Sequence, residues 1–499
     1  MKPSPQQEAI FEDIRSGSGH TFVKAGAGCG KTTTVIWGLE YLPQNQRDVF
    51  LATFGTDIAK VLKTRAPSWA NVQTLHAYGL RCLSNSLGRR PVVDKESDKS
   101  RRIAKAEAAK LTSDSALQRE LTGVFMKIEG LAKGALASKP EQIDVLLDRH
   151  EISPPEGVER EALVAGVLSG LDAAREEQGL IDFNDMIWLP NVLRCSYETY
   201  ERIFIDESQD LSRAQIRLAT KSVSDTGRAL FVGDPNQAIY GWRGADSESC
   251  TKIIRAFEAK SLPLSVTYRC AKAIVREAQV LVPEFSCPET APEGLVRSCD
   301  LPELLRQVRP GDFVLSRVNA PLISLCFALL KEGRRANIQG RDIGAKLAGT
   351  IRRAAKGTEN VTQMLEKVSA WRAREVERLE ALERDTTAVI DTAECIFALS
   401  EGLGSVSEIL ENIERLFART EAGSESDSSR VILSSVHRAK GLERDRVFLL
   451  ADTFMRSRRK RDKITGEEYW QAPGVEESNL KYVGISRAKS ELVYVKGSI

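Results

Sequence analysis

Short apolar runs alternate with longer amphipathic segments along much of the chain. Predicted buried strands fall at residues 21–24, 48–54, 202–205 and 229–232. Residues 33–42 predict a helix that begins soon after the first strand, and residues 72–77 predict a strand running into a helix. Strands that alternate with helices are typical of a parallel sheet. The pattern therefore predicts an α/β fold.

Two stretches of charged, helical character interrupt this alternation, and strands resume after each of them. Further strands are predicted at 312–316, 336–339, 431–434, 447–451 and 491–495. The second interruption ends in the acidic, Ser-rich EAGSESDSS at 421–429, which predicts a flexible linker. The predicted organisation is one domain from 1–77 and 183–262 interrupted by 78–182, and a second from 263–340 and 430–499 interrupted by 341–429.

Composition describes an ordinary globular protein. The 499 residues are 42% hydrophobic and 28% charged, and the formal net charge of +2 favours no particular partner. Nine cysteines without a C-x-x-C pair, and four histidines, indicate reduced thiols rather than a zinc site. Residues 1–7 contain no apolar signal core, and no run of eighteen apolar residues occurs. These features predict a soluble, cytoplasmic protein without membrane association.

Glycines dominate the turn between the first predicted strand and helix. Residues 23–33 read VKAGAGCGKTT, so side chains are small where free N–H groups and the positive end of a helix would meet phosphate. Lys31 is predicted to reach the β- and γ-phosphates, and the Thr32 hydroxyl to bind Mg²⁺. Ala25 stands where this motif usually has glycine, and alanine is still small.

Paired carboxylates follow the strand at 202–205. Asp206 is predicted to hold Mg²⁺, and Glu207, directed differently, to activate the attacking water. The strand at 229–232 leads into GDPNQAIYGWRG, whose amide, aromatics and arginine are better suited to linking phosphate with stacked bases than to a core.

Two basic runs leave alternatives open. KSRRIAKAEAAK at 99–110 either follows a nucleic-acid backbone or forms a solvated helix face, which is the commoner meaning of such a run. RSRRKRDK at 456–463 either contacts phosphates or forms a solvated loop.

The motifs together resemble the UvrD/Rep family of superfamily-one DNA helicases. The matching segments are AGAGCGKT at 25–32, DESQD at 206–210, GDPNQAIYGWRGA at 233–245, LSVTYR at 264–269, SVHRAKGLE at 435–443, EE at 476–477 and LKYVGISRAK at 480–489. The resemblance implies two RecA-like P-loop motor domains with parallel sheets, each interrupted by a mainly helical insertion, the second one reduced in size.

The resemblance also implies roles for individual residues. In nucleotide binding, the loop residues Ala25, Gly26, Ala27, Gly28, Cys29, Gly30, Lys31, Thr32 and Thr33 would surround the phosphates, Gln6 would read adenine, Tyr268 would stack on it and Glu443 would contact the ribose. In hydrolysis, Gln237 would sense the γ-phosphate, and Arg269 and Arg487 would act as arginine fingers when the two motor domains close. The residues matched to the single-strand track are Phe54, Thr74, His76, Tyr240, Trp242, Arg243 and His437.

The function so implied is an ATP-driven, Mg²⁺-dependent helicase that translocates 3′ to 5′ on single-stranded DNA and unwinds duplex at single-strand/duplex junctions, in the cytoplasm at the nucleoid. A functional monomer is compatible with these features, which leave protein partners open. Three other functions stay open: a translocase that strips proteins with little unwinding, a non-hydrolysing structural subunit of a repair complex, and, less favoured, a small-molecule kinase. The motor residues Lys31, Asp206 and Glu207 are intact and argue against the second.

Overall fold

The computed structural model describes the chain in two units, Met1–Ser265 and Val266–Ile499. The described residues are 2–53, 55–150, 152–240, 249–381, 386–417, 429–454, 458–461, 468–471 and 474–497, with backbone alone for 57, 341, 342, 381, 458–461 and 468–471.

The first unit is built on a six-stranded parallel sheet. The strands of this unit are β1 (Thr21–Ala25), β2 (Val49–Thr53), β3 (Ala70–Thr74), β4 (Val92–Val93), β5 (Leu180–Ile181), β6 (Tyr200–Ile205), β7 (Val223–Gly233) and β8 (Lys260–Leu264), and all except β4 and β5 belong to the sheet. The sheet order is β3-β2-β6-β7-β1-β8, and every neighbouring pair is parallel. Phe22, Phe50 and Phe231 are fully buried, because a parallel sheet is covered on both faces.

The helices of the first unit follow its strands and also form a separate cluster. They are α1 (Pro5–Ser16), α2 (Lys31–Glu40), α3 (Thr56–Arg65), α4 (Leu75–Leu87), α5 (Asp98–Leu111), α6 (Ser115–Ala135), α7 (Pro140–Arg149), α8 (Arg160–Glu176), α9 (Asp185–Val192), α10 (Arg213–Lys221) and α11 (Ser249–Ala256). Helices α5 to α8 share an apolar core that includes Phe125, Ile143 and Leu163. The short pair β4–β5 closes this insertion.

Buried charges join the insertion to helix α9. The Lys99 ammonium lies 2.7 Å from the Asp185 carboxylate, and Lys133 lies 2.8 Å from Asp185 and 3.1 Å from Asp182. All four side chains are almost fully buried. Arg101 and Lys105 of the basic run at 99–110 are exposed, as the solvated-face alternative predicts, whereas Lys99 departs from it because this lysine compensates a buried carboxylate.

The second unit repeats the parallel architecture. Its strands are β9 (Leu295–Asp300), β10 (Phe313–Ser316), β11 (Ala336–Ile338), β12 (Val431–Ser435), β13 (Arg444–Leu450), β14 (Arg458–Arg461), β15 (Glu468–Gln471) and β16 (Ala488–Lys496). Six of them form a parallel sheet in the order β11-β12-β10-β13-β16-β9. Strands β14 and β15 form an antiparallel pair.

The helices of the second unit include the inserted segment. They are α12 (Lys272–Gln279), α13 (Leu301–Gln307), α14 (Ala320–Lys331), α15 (Arg341–Ala354), α16 (Val361–Ala381), α17 (Thr387–Ser400), α18 (Val406–Leu416), α19 (Val436–Ala439) and α20 (Val475–Ile485). Ile351, Met364 and Ile409 of the inserted helices belong to the same apolar cluster as Val314 and Phe448 of the sheet. The insertion is therefore packed into the core of this unit.

The α/β fold class with two parallel sheets is confirmed. The expectation of a loop at 456–463 is wrong for Arg458–Arg461, which pairs as strand β14. Strand β9 was not predicted, because Leu295–Asp300 is a short edge strand with little burial. Among the described residues, no helix is long and apolar enough to cross a membrane.

Candidate functional site

The glycine-rich turn lies at the carboxyl end of β1, in the interior of the first sheet. Gly28 and Gly30 have φ angles of 70° and 78°, a left-handed backbone that favours glycine. Helix α2 then begins at Lys31, so its positive end faces this turn. The Gly26 N–H donates to the Leu264 carbonyl at 2.9 Å, which ties the turn to the neighbouring strand β8. The local backbone is thus shaped for an anion.

Lys31 and Thr32 each contact one of the paired carboxylates after β6. The Thr32 hydroxyl donates to Asp206 Oδ2 at 2.8 Å, and Lys31 Nζ lies 3.3 Å from Glu207 Oε2. Glu207 has a φ of 54°, a left-handed backbone that is uncommon for a residue other than glycine. The sheet therefore brings together four residues that the sequence predicts to share one site.

A third carboxylate, Asp234, completes the cluster and was not among the predicted site residues. It is fully buried after β7, and Gln237 Nε2 donates to its Oδ2 at 2.5 Å. Gln209 connects the two loops, because its Oε1 accepts from Asp234 N–H at 3.0 Å while its amide nitrogen donates to Glu207. Gln209 follows the end of β6 and Asp234 follows the end of the neighbouring strand β7. These positions are the sequence signal that places both residues near the site.

The electrostatics of this cluster favour an added cation. Burial, together with the Glu207 charge, raises the pKa of Asp206 to about 6, and burial also raises the pKa of Asp234. Burial acts to lower the pKa of Lys31, but the carboxylates, chiefly Glu207, outweigh it and raise the pKa. Carboxyl groups thus outnumber the single lysine, so the negative charge of this buried site is not fully compensated by the protein.

The donor set fits Mg²⁺ bound together with a triphosphate. Mg²⁺ is usually held by one or two protein oxygens, with water and substrate phosphates completing its shell. The Thr32 hydroxyl and the Asp206 carboxylate supply two such oxygens. Among the described residues, no group of three or more His, Cys, Asp or Glu side chains could hold a metal ion by itself.

Two glutamines of helix α1 support the turn from the other side. The Gln6 amide accepts from Ser265 N–H at 2.9 Å and donates to the Ser265 hydroxyl at 3.0 Å. Gln7 forms a capping box with Ser4 and donates to the Thr34 hydroxyl on α2 at 2.9 Å. Gln6 thus presents both halves of its amide, although here they engage the chain itself.

In the second unit, Arg269 and Glu443 form an ion pair, and Lys489 lies 3.0 Å from the same carboxylate. Although burial acts to raise the pKa of Glu443, Arg269 and Lys489 hold it below its ordinary value. Tyr268, next in the chain, is 48% exposed. The structure therefore gathers Arg269 and Glu443 while leaving the Tyr268 ring accessible for stacking.

Arg487 lies beside this pair and is 1% exposed. Its guanidinium donates to the carbonyls of Val483 and Leu442 at 3.0 and 3.1 Å, and to the Ser486 hydroxyl at 3.0 Å. Burial and the charge of Arg269 lower the pKa of Arg487 to about 10. Two arginines held this close create a positive region within the second unit.

The residues predicted for the DNA track are only partly described. Phe54, Trp242 and Arg243 lie outside the described residues. The Thr74 hydroxyl caps helix α4 by accepting from Ala77 N–H at 3.1 Å, and burial lowers the pKa of His76. Tyr240 follows the Asp234 turn and is half-buried, as is His437 in the short helix α19.

Two family models match overlapping parts of the chain. The UvrD/REP helicase N-terminal domain matches residues 4–258, and the UvrD-like helicase C-terminal domain matches residues 238–497. Together they span both units.

Curated relatives are similar over part of the chain. Proteins named ATP-dependent DNA helicase PcrA from Staphylococcus epidermidis and Staphylococcus aureus are each 26% identical, over 311 and 310 residues. Each alignment covers 57% of this chain and 40% of the relative.

Proposed function

The chain belongs to the UvrD/Rep helicase family, and on that premise we propose that it is an ATP-dependent DNA helicase. We propose further that it translocates 3′ to 5′ on single-stranded DNA, acts at single-strand/duplex junctions, and requires Mg²⁺. The observation that carries the proposal is the contact of Lys31 and Thr32 with the paired carboxylates Glu207 and Asp206.

In this proposal, the first unit supplies the groups that hold and hydrolyse the nucleotide. The backbone N–H groups of the turn and the Lys31 ammonium bind the phosphates, while Thr32 and Asp206 hold Mg²⁺. When bound, Mg²⁺ neutralises charge on the phosphate oxygens. Glu207, which contacts Lys31 rather than the metal-binding Thr32, accepts a proton from the attacking water.

Gln237 and Asp234 connect hydrolysis to the DNA-facing segment. Gln237 is held by Asp234 and precedes Tyr240 by three residues, so a shift of Gln237 toward a phosphate would move the start of this segment. We propose that Tyr240, Trp242 and Arg243, with Phe54, Thr74, His76 and His437, bind the single strand. The roles of Gln6, Tyr268 and Glu443 in nucleotide binding, and of Arg269 and Arg487 as arginine fingers, are proposed on the family resemblance.

We propose that the motor domains and the insertions have the bounds predicted from the sequence. Residues 1–77 with 183–262, and 263–340 with 430–499, carry the motor motifs, while 78–182 and 341–429 are insertions, the second of which also completes the apolar core of its unit. A translocase that displaces proteins with little unwinding is the second candidate. The observation that favours it is the small size of the second insertion, whose four helices run from Arg341 to Leu416.

ATP hydrolysis measured with and without single-stranded DNA tests the proposal. We expect Mg²⁺-dependent hydrolysis that rises at least tenfold with DNA. Unwinding of a tailed duplex, measured beside displacement of a protein from a single strand, separates the two candidates. An absence of hydrolysis under all conditions would instead support a structural subunit.

A further inference from the structure

A cavity of about 560 Å³ opens at the amino ends of strands β10, β11 and β12 in the second unit. Three separate segments line it: the end of α13 with the turn that follows, the turn before β11, and the start of β12 with Ser429 two residues before it. The lining includes Arg306, Arg309, Arg334 and Arg335, together with Ser429, and none of its described residues carries a carboxylate.

The arginines of this cavity differ in how they are held. Arg334 donates to the carbonyls of Val308 at 2.7 Å and Arg306 at 3.4 Å, and it lies 3.5 Å from Glu332. Within the described part of the chain, the guanidinium groups of Arg306, Arg309 and Arg335 have no carboxylate within ion-pair distance. Some arginines elsewhere in this unit are paired, as Arg317 is with Glu477 and Arg446 with Asp312, whereas Arg352 and Arg374, unpaired among the described residues, lie on exposed helix faces of the insertion and do not share a cavity.

Four guanidinium groups on one concave surface repel one another weakly through water, and a bound anion would replace that repulsion with attraction. Water between the exposed side chains screens this repulsion, but the unpaired guanidinium groups add no ion pair that would stabilise the fold. Arginine is also the residue whose planar fork best matches phosphate oxygens. The lining therefore has the chemistry of a phosphate site rather than of a structural ion-pair network.

The cavity is remote from the residues proposed to bind the single strand in this unit. His437 follows the carboxyl end of β12, whereas Ser429 precedes the amino end of the same strand. Five strand residues separate the two ends, roughly 16 Å at about 3.3 Å each. A DNA segment short enough to occupy only the track would not need to reach the arginines.

We propose that this arginine-lined cavity is a second DNA site, which binds the phosphodiester backbone outside the single-strand track. The proposal rests on the proposed helicase function, because it takes DNA as the polyanion. The site adds affinity and salt dependence without base preference, since the charged groups of its described lining are guanidinium groups, which bind phosphate whatever the base.

The test uses the full chain with Arg309 and Arg335 replaced, as R309Q/R335Q, because Arg334 holds the local backbone. The matched control is R352Q/R374Q, which removes two exposed arginines of α15 and α16 that also lack a carboxylate partner among the described residues. Affinity is measured against salt for three DNA probes: an oligonucleotide of about ten nucleotides, a single strand several times longer, and a duplex with a 3′ tail.

R309Q/R335Q should bind the short oligonucleotide normally, but at least one longer probe about tenfold more weakly at about 0.1 M salt, with a salt slope smaller by about 1 to 2. Loss on the long single strand identifies the tail as the ligand, and loss on the tailed duplex alone identifies the duplex. An equal loss in the control, an equal loss on the short oligonucleotide, or no loss with any probe would overturn the site.

Hydrolysis stimulated by the short oligonucleotide is measured in parallel and reports on the proposed helicase function. If stimulation is absent in the unchanged chain while the arginine-dependent binding of longer DNA is present, the proposed function fails and the DNA site stands. The two inferences can therefore fail separately.

Discussion

The Lys31 ammonium lies 3.3 Å from the Glu207 carboxylate, although each is predicted to act on a nucleotide rather than on the other. Lys31 is the group that would bind the β- and γ-phosphates, and Glu207 is the group that would accept a proton from water. A triphosphate would compete with Glu207 for the lysine. Nucleotide binding would thus release the carboxylate at the moment when it is needed as a base.

Replacing Glu207 with Gln tests this assignment. The variant should bind ATP and DNA but lose about 10² to 10⁴ in turnover, the usual contribution of a positioned base. Steady-state hydrolysis and equilibrium nucleotide binding give the two quantities. Glu8→Gln, an exposed change on α1, is the matched control. Near-normal turnover in Glu207→Gln would assign the base to another residue.

Replacing Arg487 with Ala should reduce the hydrolysis rate by roughly 10³ or more while leaving ATP affinity nearly unchanged, as expected for an arginine finger. Because this guanidinium is buried and donates to two carbonyls and a hydroxyl, the thermal midpoint must be measured beside the rate. Arg487→Lys keeps the charge but not the planar fork, and it should recover little of the rate. A folded Arg487→Ala with weaker ATP binding and full turnover would make Arg487 a binding residue.

The sequence predicted the strands that carry the chemistry because their apolar runs end in recognisable polar motifs. Lys31, Thr32, Asp206 and Glu207 could be placed together, since the carboxyl ends of parallel strands share one edge. Asp234 and Gln209 also follow strand ends, but position alone did not reveal their roles, because these depend on contacts across adjacent loops. For the same reason Lys99 was misinterpreted: a charge pattern along one helix contains no information about Asp185, which lies 86 residues away.

The second insertion shows the same limit at the level of packing. Its amphipathic helices indicate an accessory element, but the sequence does not say which surface receives them. In the structure, Ile351, Met364 and Ile409 complete the apolar core of the second sheet. A short linker in place of residues 345–425 would therefore expose that core, and we expect the deletion to unfold the second unit rather than to change unwinding alone.

The buried charge cluster of the first insertion predicts an unusual pH dependence. Burial raises the pKa of Glu129, against the lowering effect of Lys133. A carboxyl group with a raised folded-state pKa penalises the folded state above that pKa, and the penalty disappears as pH falls to its ordinary value of 4.5. Glu129→Gln should therefore raise the free energy of unfolding at pH 8, with a gain that shrinks toward pH 4.5.

A second substitution in the same cluster should instead lower the free energy of unfolding. Lys133→Met leaves Asp182 and Asp185 with less compensating charge and should cost about 3 to 5 kcal/mol. Lys105→Met, on the exposed side of α5, should change stability by less than about 0.5 kcal/mol. Denaturant unfolding of the three variants at several pH values measures all of these. A destabilised Glu129→Gln at pH 8 would show that its ion pair with Lys133 outweighs the cost of burial.

Direction of movement is the remaining property on which the proposed function depends. A motor moves one way only if its DNA contacts change at different points of the nucleotide cycle, and the side chains alone do not fix the sign. The proposed 3′ to 5′ direction rests on the QAIYGWRG and HRAKGLE segments, which resemble those of the 3′ to 5′ branch of the superfamily. We therefore expect unwinding of duplexes with a 3′ single-strand tail and at most a tenth of that rate with a 5′ tail. Lys31→Ala, which removes the phosphate-binding ammonium, is the control for hydrolysis-independent strand separation. Faster unwinding from the 5′ tail would reverse the assignment, whereas equal rates from both tails would mean that the chain binds duplex ends rather than moving along a tail.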